Sequence, residues 1–148
     1  MAEARRLRNA GGMAAAMKRY NFCSGQRCFG EGWVNIDKQE RDKPDLIADC
    51  CSLPMIEDAS AELVVIHHGL EHTHLGEGDA MVKEAHRILV PGGSLIVCVP
   101  DLRELAKAWL RGQIDDYIYC VNIYGAFQGD SDSDHHWGWW GPSLAKYL

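Results

Sequence analysis

Short apolar runs recur along the chain, and each of them is closed by a polar residue or a glycine. Runs that stay apolar at consecutive positions are typical of strands covered on both faces, as in parallel sheets. The pattern therefore predicts five strands, at residues 19–23, 33–36, 46–48, 63–66 and 95–99.

Between the fourth and fifth runs the apolar spacing changes to that of a helix. Met81, Ala85 and Ile88 recur at intervals of four and three residues, which places them on one helix face. The Pro91-Gly92-Gly93 stretch follows them. We expect it to end this helix, because proline lacks a backbone donor and glycine adopts positive φ readily.

A second helix is predicted after the fifth run. Asp101 and Glu104 have the spacing of a capping box, and an apolar stripe continues from there as far as Gly112. We expect this stripe, which includes Trp109, to be packed in the core.

The alternation of strands and helices predicts an α/β chain with right-handed crossovers. Only residues 26–31 separate the first two runs, whereas a parallel crossover takes roughly a dozen residues or more. The first crossover helix should therefore be absent or reduced to one turn. We predict a Rossmann-like open, mainly parallel sheet of about five strands with flanking helices.

Length, charge and cysteine usage narrow the classes of protein that fit this pattern. The 148 residues fit one domain, with a basic N-terminal segment (1–18), a core (19–111) and a C-terminal region (112–148). A net charge of −6 argues against nucleic acid as a partner, and no run has the length of a membrane span. The six cysteines contain no C-x-x-C pair and suit a reducing cytoplasm.

Candidate chemistry lies at the predicted carboxyl ends of the strands, where open parallel sheets bind their ligands. Ser24 and Gly25 follow the first run, Asp37 follows the second, and Asp49 follows the third. A carboxylate at the end of the second strand can accept both hydroxyls of a ribose. Together these residues indicate a ligand that contains a nucleoside.

Five motifs follow one another along the chain: NFCSG at 21–25, GWVNID at 32–37, ADCCSLP at 48–54, HGLEH at 68–72, and RILVPGGSL with VPD at 87–101. In order and spacing they resemble the class I S-adenosylmethionine-dependent methyltransferases, and the type 11 branch in particular. The resemblance extends from about residue 19 to residue 140. It implies a Rossmann-like fold, S-adenosylmethionine as the cofactor, and methyl transfer as the reaction.

The resemblance also implies roles for individual residues. Asp37 would hold the ribose, Asp49 with Cys50 would flank the adenine, and His67 would lie beside the sulfonium. The first loop would approach the methionine part of the cofactor through Cys23, Ser24, Gly25 and Gln26.

Two departures from the family pattern change these expectations. Cys23 stands where the family usually has glycine, which affects the closest backbone approach to the cofactor. The usual C-terminal strand pair beside the fifth strand has no counterpart, so we expect a truncated chain with an exposed apolar edge at 95–99. We predict that another chain, most economically in a homodimer, or residues 114–127 cover this edge.

Two histidine clusters invite other interpretations. The HGLEH stretch matches the H-x-x-E-H pattern of inverted zincins, which would make the protein a zinc metallopeptidase. Gly69 and the preceding strand argue against that helix, and we predict no metal site. Near the C-terminus we expect Trp139 and Trp140 to be packed, and His135 is the candidate base that takes a proton from the acceptor.

The main hypothesis is therefore S-adenosylmethionine-dependent methyl transfer to a small-molecule acceptor, without nucleic acid or membrane partners. The alternative is a truncated, non-catalytic module that binds the cofactor or assembles with a partner. Cys23 and the abrupt C-terminus are the observations that motivate this alternative.

Overall fold

The computed structural model describes residues 17–126 and 133–148, and for Leu75 the backbone alone. Residues 1–16 of the predicted basic segment lie outside this part of the chain. The strands are β1 (Lys18–Phe22), β2 (Trp33–Asp37), β3 (Leu46–Ile47), β4 (Ala61–His67) and β5 (Leu89–Cys98). The helices are α1 (Leu75–Ile88), α2 (Leu102–Leu110), α3 (Asp116–Tyr124) and α4 (Gly141–Tyr147), with 3-10 turns at Glu40–Asp42 and Leu70–His72.

The five strands form one parallel sheet in the order β3-β2-β1-β4-β5. This confirms the predicted Rossmann-like fold class. The strand order reverses between β1 and β4, because the chain moves outward to β2 on one side and to β4 on the other. In such sheets the crevice at the carboxyl ends of these two strands is the ligand-binding position.

One side of the sheet, which we call the covered face, carries the hydrophobic core. Phe22 and Ile66 of adjacent strands are fully buried there, against the apolar stripe of α1 formed by Met81, Ala85 and Ile88. Burial of side chains of this size is worth about 1.5–3 kcal/mol each. The covered face is therefore the main source of the sheet's stability.

The other side of the sheet, which we call the open face, presents Asn35, Asn21, Val65 and Ile96 as one row of register partners across four strands. No helix connects β1 to β2, as predicted, and residues 23–32 form an irregular segment instead. At the β5 end of the row Ile96 is 51% exposed.

Two buried asparagines attach this irregular segment to the sheet. Asn21 donates from Nδ2 to the carbonyl of Arg27 (2.9 Å) and to Asn35 Oδ1 (3.0 Å). Asn35 accepts from the backbone N–H of Phe29 (2.7 Å) and donates to the Phe29 carbonyl (2.9 Å). The asparagine pair thus satisfies backbone groups that a crossover helix would otherwise satisfy internally.

Helix α1 ends earlier than the sequence predicted, so the expectation that Pro91-Gly92-Gly93 terminates it is wrong. Its last carbonyls, of Arg87 and Ile88, accept hydrogen bonds from the backbone N–H groups of Ala59 and Ser60. Because Leu89 already pairs with β4, the Pro-Gly-Gly stretch lies inside β5, where the register of the two strands shifts.

Helix α2 begins as predicted, since the Asp101 side chain accepts from the backbone N–H groups of Arg103 and Glu104. The expectation that Trp109 is a core residue is wrong, because this residue is 39% exposed. It stacks on Tyr119 of α3 at 4.8 Å and donates from Nε1 to Asp116. Trp109 of the apolar stripe therefore packs on α3 rather than in the core.

Strand β5 lies at the edge of the sheet and has a strand neighbour on one side only among the described residues. Phe127, the last residue of the segment expected to cover this edge, lies outside them. None of the described helices combines the length and the apolar character that a membrane crossing requires.

Candidate functional site

A cleft of about 570 Å³ opens at the carboxyl ends of β1, β2 and β4, where the strand order reverses. This volume lies within the ordinary range of small-molecule sites. All nine residues that the sequence singled out line this one cleft: Cys23, Ser24, Gly25, Gln26, Asp37, Asp49, Cys50, His67 and His135.

The first loop turns sharply at Cys23, whose φ is 52°. This left-handed conformation favours glycine, which accounts for the residue usual at this position in the family it resembles. The cysteine is accommodated because position 69 is glycine: a Cβ added to Gly69 would lie 2.7 Å from Cys23 Cβ. The departure at Cys23 therefore leaves the turn of the loop intact.

Two cysteines of the cleft, Cys23 and Cys51, stay protonated at neutral pH. A hydrogen bond with Cys50, together with burial, raises the pKa of the Cys23 thiol well above its usual value. Burial, assisted by the Asp49 carboxylate, raises the pKa of Cys51 to about 12. Because the thiolate is the reactive form, these side chains are a weakly polar wall rather than nucleophiles.

Asp37 connects the end of β2 to the first loop. Its Oδ2 accepts from the backbone N–H of Gly25 and its Oδ1 from that of Gln39, both at 2.8 Å. Asp37 is 8% exposed and lines the cleft. Each of its oxygens has a second lone pair, so Asp37 retains the capacity to accept two hydroxyl groups.

The end of β3 is followed by a tight turn that Asp49 stabilises, since its Oδ1 accepts from the backbone N–H of Cys51 at 2.8 Å. The next residue, Cys50, is buried and accepts from the backbone N–H of Cys23 at 3.4 Å. The two loops that follow β1 and β3 are thus in direct contact beneath the cleft.

His67, at the end of β4, faces Arg27, whose Nη1 lies 3.3 Å from His67 Nδ1. Because a guanidinium can only donate, Nδ1 accepts and the ring proton lies on Nε2. Burial, followed by the charges of His68 and Arg27, lowers the pKa of His67. Sequence reasoning missed Arg27, and nothing in its local pattern marks it as a site residue.

The far wall of the cleft is built where residues 133–137 cross the 3-10 turn at Leu70–His72. The Glu71 carbonyl accepts from the backbone N–H groups of His136 (2.8 Å) and Trp137 (3.2 Å).

Trp139 is buried as expected. Trp140 is 40% exposed, with the Arg103 guanidinium 5.8 Å from its ring, so the expectation that it is packed is wrong. Trp140 comes directly after Trp139, which forms a β-bridge with Asp101 at the start of α2, and the Trp140 side chain faces outward.

His135 and His72 lie side by side in this wall, with ring centroids 4.7 Å apart. Nδ1 of His135 contacts the Asn122 carbonyl and Nδ1 of His72 contacts the Asp134 carbonyl, each at 3.1 Å. Because carbonyls only accept, both rings carry their proton on Nδ1 and leave Nε2 with a lone pair. Burial, followed by the neighbouring His72, lowers the pKa of His135.

Glu71 lies beside these rings and is 1% exposed. Its Oε1 contacts His68 Nδ1 at 3.0 Å, whereas its Oε2 has no hydrogen-bond partner among the described residues. The HGLEH stretch forms a 3-10 turn after a left-handed His68 rather than the helix of an inverted zincin. This arrangement does not favour the metallopeptidase alternative, because the pattern brings Glu71 and His72 to His135 instead.

Comparison with known proteins supports the same interpretation of the cleft. Residues 28–97 match a type 11 family model described as a methyltransferase domain. No match is found among the curated proteins. The resemblance to class I methyltransferases is thereby confirmed, and it implies S-adenosylmethionine as the cofactor.

Two solved structures show the same fold. The PH0226 protein of Pyrococcus horikoshii OT3 is 23% identical, with a TM-score of 0.53 over 65% of this chain and 53% of its own. A SAM-dependent methyltransferase of Archaeoglobus fulgidus is 16% identical, with a TM-score of 0.60 over 90% of this chain and 59% of its own. The chain thus spans somewhat more than half the length of these structures.

The residues present fit that cofactor. A buried carboxylate with free lone pairs lies at the end of β2, as an acceptor of ribose hydroxyls requires. Gly25 has no atom within 4 Å of the position that a Cβ would take, so the backbone of the loop is open to a ligand. The Asp37 carboxylate and the open backbone at Gly25 both suit an adenosine-containing molecule.

Proposed function

We propose that this chain transfers a methyl group from S-adenosylmethionine to a small-molecule acceptor. The observation that carries the proposal is the hydrogen bond of 2.8 Å between the Gly25 N–H and Asp37 Oδ2, in a cleft at the switch point of a parallel sheet. This bond joins a glycine-containing loop to an acidic strand end, the two parts that bind a nucleoside in such folds.

In this proposal residues 19–111 hold the cofactor. Asp37 accepts the ribose hydroxyls, and Asp49 with Cys50 lies along the adenine. His67 lies beside the sulfonium as a neutral ring, which is supported by its lowered pKa. Backbone N–H groups of the first loop receive the methionine part, along Cys23, Ser24, Gly25 and Gln26.

In the same proposal, residues 112–148 complete the part of the cleft that holds the methyl acceptor. The acceptor's lone pair forms the new bond to the methyl carbon while the carbon–sulfur bond breaks and its electrons remain on sulfur. The leaving group needs no proton, so alignment of the reactants is the main contribution of the protein. His135, with its Nε2 lone pair in the cleft wall, takes the proton of an acceptor that enters protonated.

Calorimetry with S-adenosylhomocysteine tests the cofactor site. Asp37→Asn keeps one acceptor oxygen and loses the charge, so hydrogen bonds worth about 1.5–3 kcal/mol each weaken and the dissociation constant should rise about 10- to 100-fold. Glu31→Gln, on an exposed turn before β2, is the matched control and should bind like the parent. Equal binding by Asp37→Asn and the parent would contradict the site.

We also propose that a homodimer covers the outer edge of β5, and that the protein resides in a reducing cytoplasm. The dimer is supported by the half-exposed Ile96 and by the apolar and exposed Tyr117 and Ile118 of α3. The reducing compartment is supported by the six free cysteines. Light scattering after size exclusion should give twice the monomer mass. Ile96→Lys should shift it toward the monomer, and a monomeric parent at micromolar concentration would contradict the dimer.

A further inference from the structure

The cluster of Glu71, His72 and His135 is not used as a unit by the cofactor site. One potential ligand atom from each residue lies within 4.8 Å of the other two. Metal–ligand distances of about 2.0–2.2 Å bring neighbouring ligand atoms to roughly 3–4 Å from one another. Side-chain adjustments of about 1 Å would therefore complete a coordination shell.

Glu71 supplies the observation that points to a ligand. The carboxylate is 1% exposed, yet its Oε2 has no hydrogen-bond partner in the described part of the chain. Burial of an unpaired carboxylate oxygen is costly, and a buried charge is normally paired or coordinates a metal. His68 holds the other oxygen at 3.0 Å and so fixes the direction of the free one.

The two histidines are oriented as metal ligands are. A ligating histidine almost always donates its second ring N–H to a carbonyl or a carboxylate, which fixes the tautomer. His72 does this toward the Asp134 carbonyl, and His135 does it toward the Asn122 carbonyl. Nε2 of each ring is thereby left as the potential ligand atom, and both histidines line the cleft.

We infer that Glu71, His72 and His135 form a binding site for a divalent transition-metal ion with an open coordination position toward the cleft. Two imidazoles and one carboxylate suit zinc or iron rather than magnesium, which prefers oxygen ligands. Three protein ligands leave at least one position for water or for a substrate atom.

The open coordination position of the ion indicates which class of molecule accepts the methyl group. This inference rests on the proposed function. Such an ion binds a hydroxyl or a thiol and lowers its pKa, so the acceptor's proton passes to bulk water and the bound anion keeps its lone pair for the methyl carbon. His135 would then act as a metal ligand instead of taking that proton itself. Acceptors with an oxygen or sulfur nucleophile fit this site.

Titration of the full, chelator-treated chain with zinc chloride tests the site by calorimetry, and cobalt(II) absorption reports its geometry. We expect one ion per chain, and at least about 100-fold weaker binding in Glu71→Gln and His72→Gln, since even supporting residues of metal sites change affinity 10- to 100-fold. His136→Gln is the matched control, because this exposed ring lies against His74 at 4.2 Å and outside the cluster.

Thermal unfolding separates loss of the site from loss of the fold. The parent should melt at a higher temperature with zinc, whereas Glu71→Gln, which keeps the shape of the side chain, should fold and gain nothing. Zinc binding of Glu71→Gln equal to the parent, or an equal loss in His136→Gln, would overturn the site. Zinc binding does not depend on S-adenosylhomocysteine, so the metal site and the proposed function fail in separate measurements.

Discussion

The two faces of the same sheet are stabilised in different ways. On the covered face Phe22, Ile36 and Ile66 are fully buried against α1 and the loops beside it. On the open face the corresponding row begins with two asparagines, and their hydrogen bonds hold residues 23–32 in place of a helix. The same row ends in the half-exposed Ile96.

The difference shows what the cofactor cleft requires of the fold. The covered face provides apolar burial, which is strong and tolerates small adjustments. The open face holds the first loop through directed hydrogen bonds, which fix the backbone beneath the cleft. A crossover helix is therefore dispensable if each backbone group that it would have satisfied finds a partner elsewhere.

The largest effect should come from a matched pair of isoleucines on adjacent strands. Ile66→Ala on the covered face should lower the free energy of unfolding by about 2–5 kcal/mol, because it leaves a cavity. Under conditions in which the chain is monomeric, Ile96→Ala on the open face should change it by less than about 0.5 kcal/mol, because that side chain is half exposed in the single chain. Urea unfolding measures both, and similar losses would contradict the asymmetry.

An intermediate effect is expected from Asn35→Ala. This change leaves the Phe29 N–H and carbonyl without their partner, at about 1–3 kcal/mol for a buried group left unpaired, and removes one of the two hydrogen bonds that Asn35 donates to Asp45. Because the segment it holds lines the cleft, binding of S-adenosylhomocysteine should weaken as well. Gln113→Ala, at an exposed position, is the control. If Asn35→Ala lowered the free energy of unfolding without weakening the binding of S-adenosylhomocysteine, the segment would have no role in the site.

The smallest effect concerns pH. The backbone N–H of Asn35, followed by its side-chain amide, lowers the pKa of Asp45. A carboxyl whose folded pKa is depressed stabilises the fold above its unfolded pKa of about 3.9, and this contribution is lost as pH falls through the folded value. Between about pH 6 and pH 3 the parent should therefore lose more stability than Asp45→Asn, by less than about 1 kcal/mol because Asp45 is exposed.

Parallel unfolding curves of the parent and Asp45→Asn over that range would show that this hydrogen bond does not contribute. Glu31→Gln, which removes a carboxylate at an exposed turn, is the control for general acid sensitivity.

The sequence predicted well those features that depend on neighbours in the chain. The strands are short apolar runs, and their carboxyl ends had to lie together once the sheet was parallel, so Gly25, Asp37 and Asp49 could be assigned to one cleft. The cap of α2 was likewise visible, because Asp101 contacts residues two and three positions away.

Features that depend on distant contacts were not predictable in the same way. The stripe of α2 indicated that Trp109 has an apolar neighbour, but periodicity does not tell a sheet from another helix. The HGLEH pattern is one of the methyltransferase motifs, and a zincin helix is its disfavoured alternative, but its contact with His135 is not predictable because that residue lies more than 60 positions later in the chain. Asn21 and Asn35 gave no signal, since a polar residue in a strand also fits a solvated position.

The wall formed by residues 133–137 shows that the two halves of the cleft depend on different parts of the chain. The strand ends that carry the candidate nucleoside contacts all lie before residue 68, whereas the far wall depends on the backbone N–H groups of His136 and Trp137, which donate to the Glu71 carbonyl. Substitutions in the C-terminal segment can therefore reshape one half of the cleft while the strand ends that form the other half keep their positions.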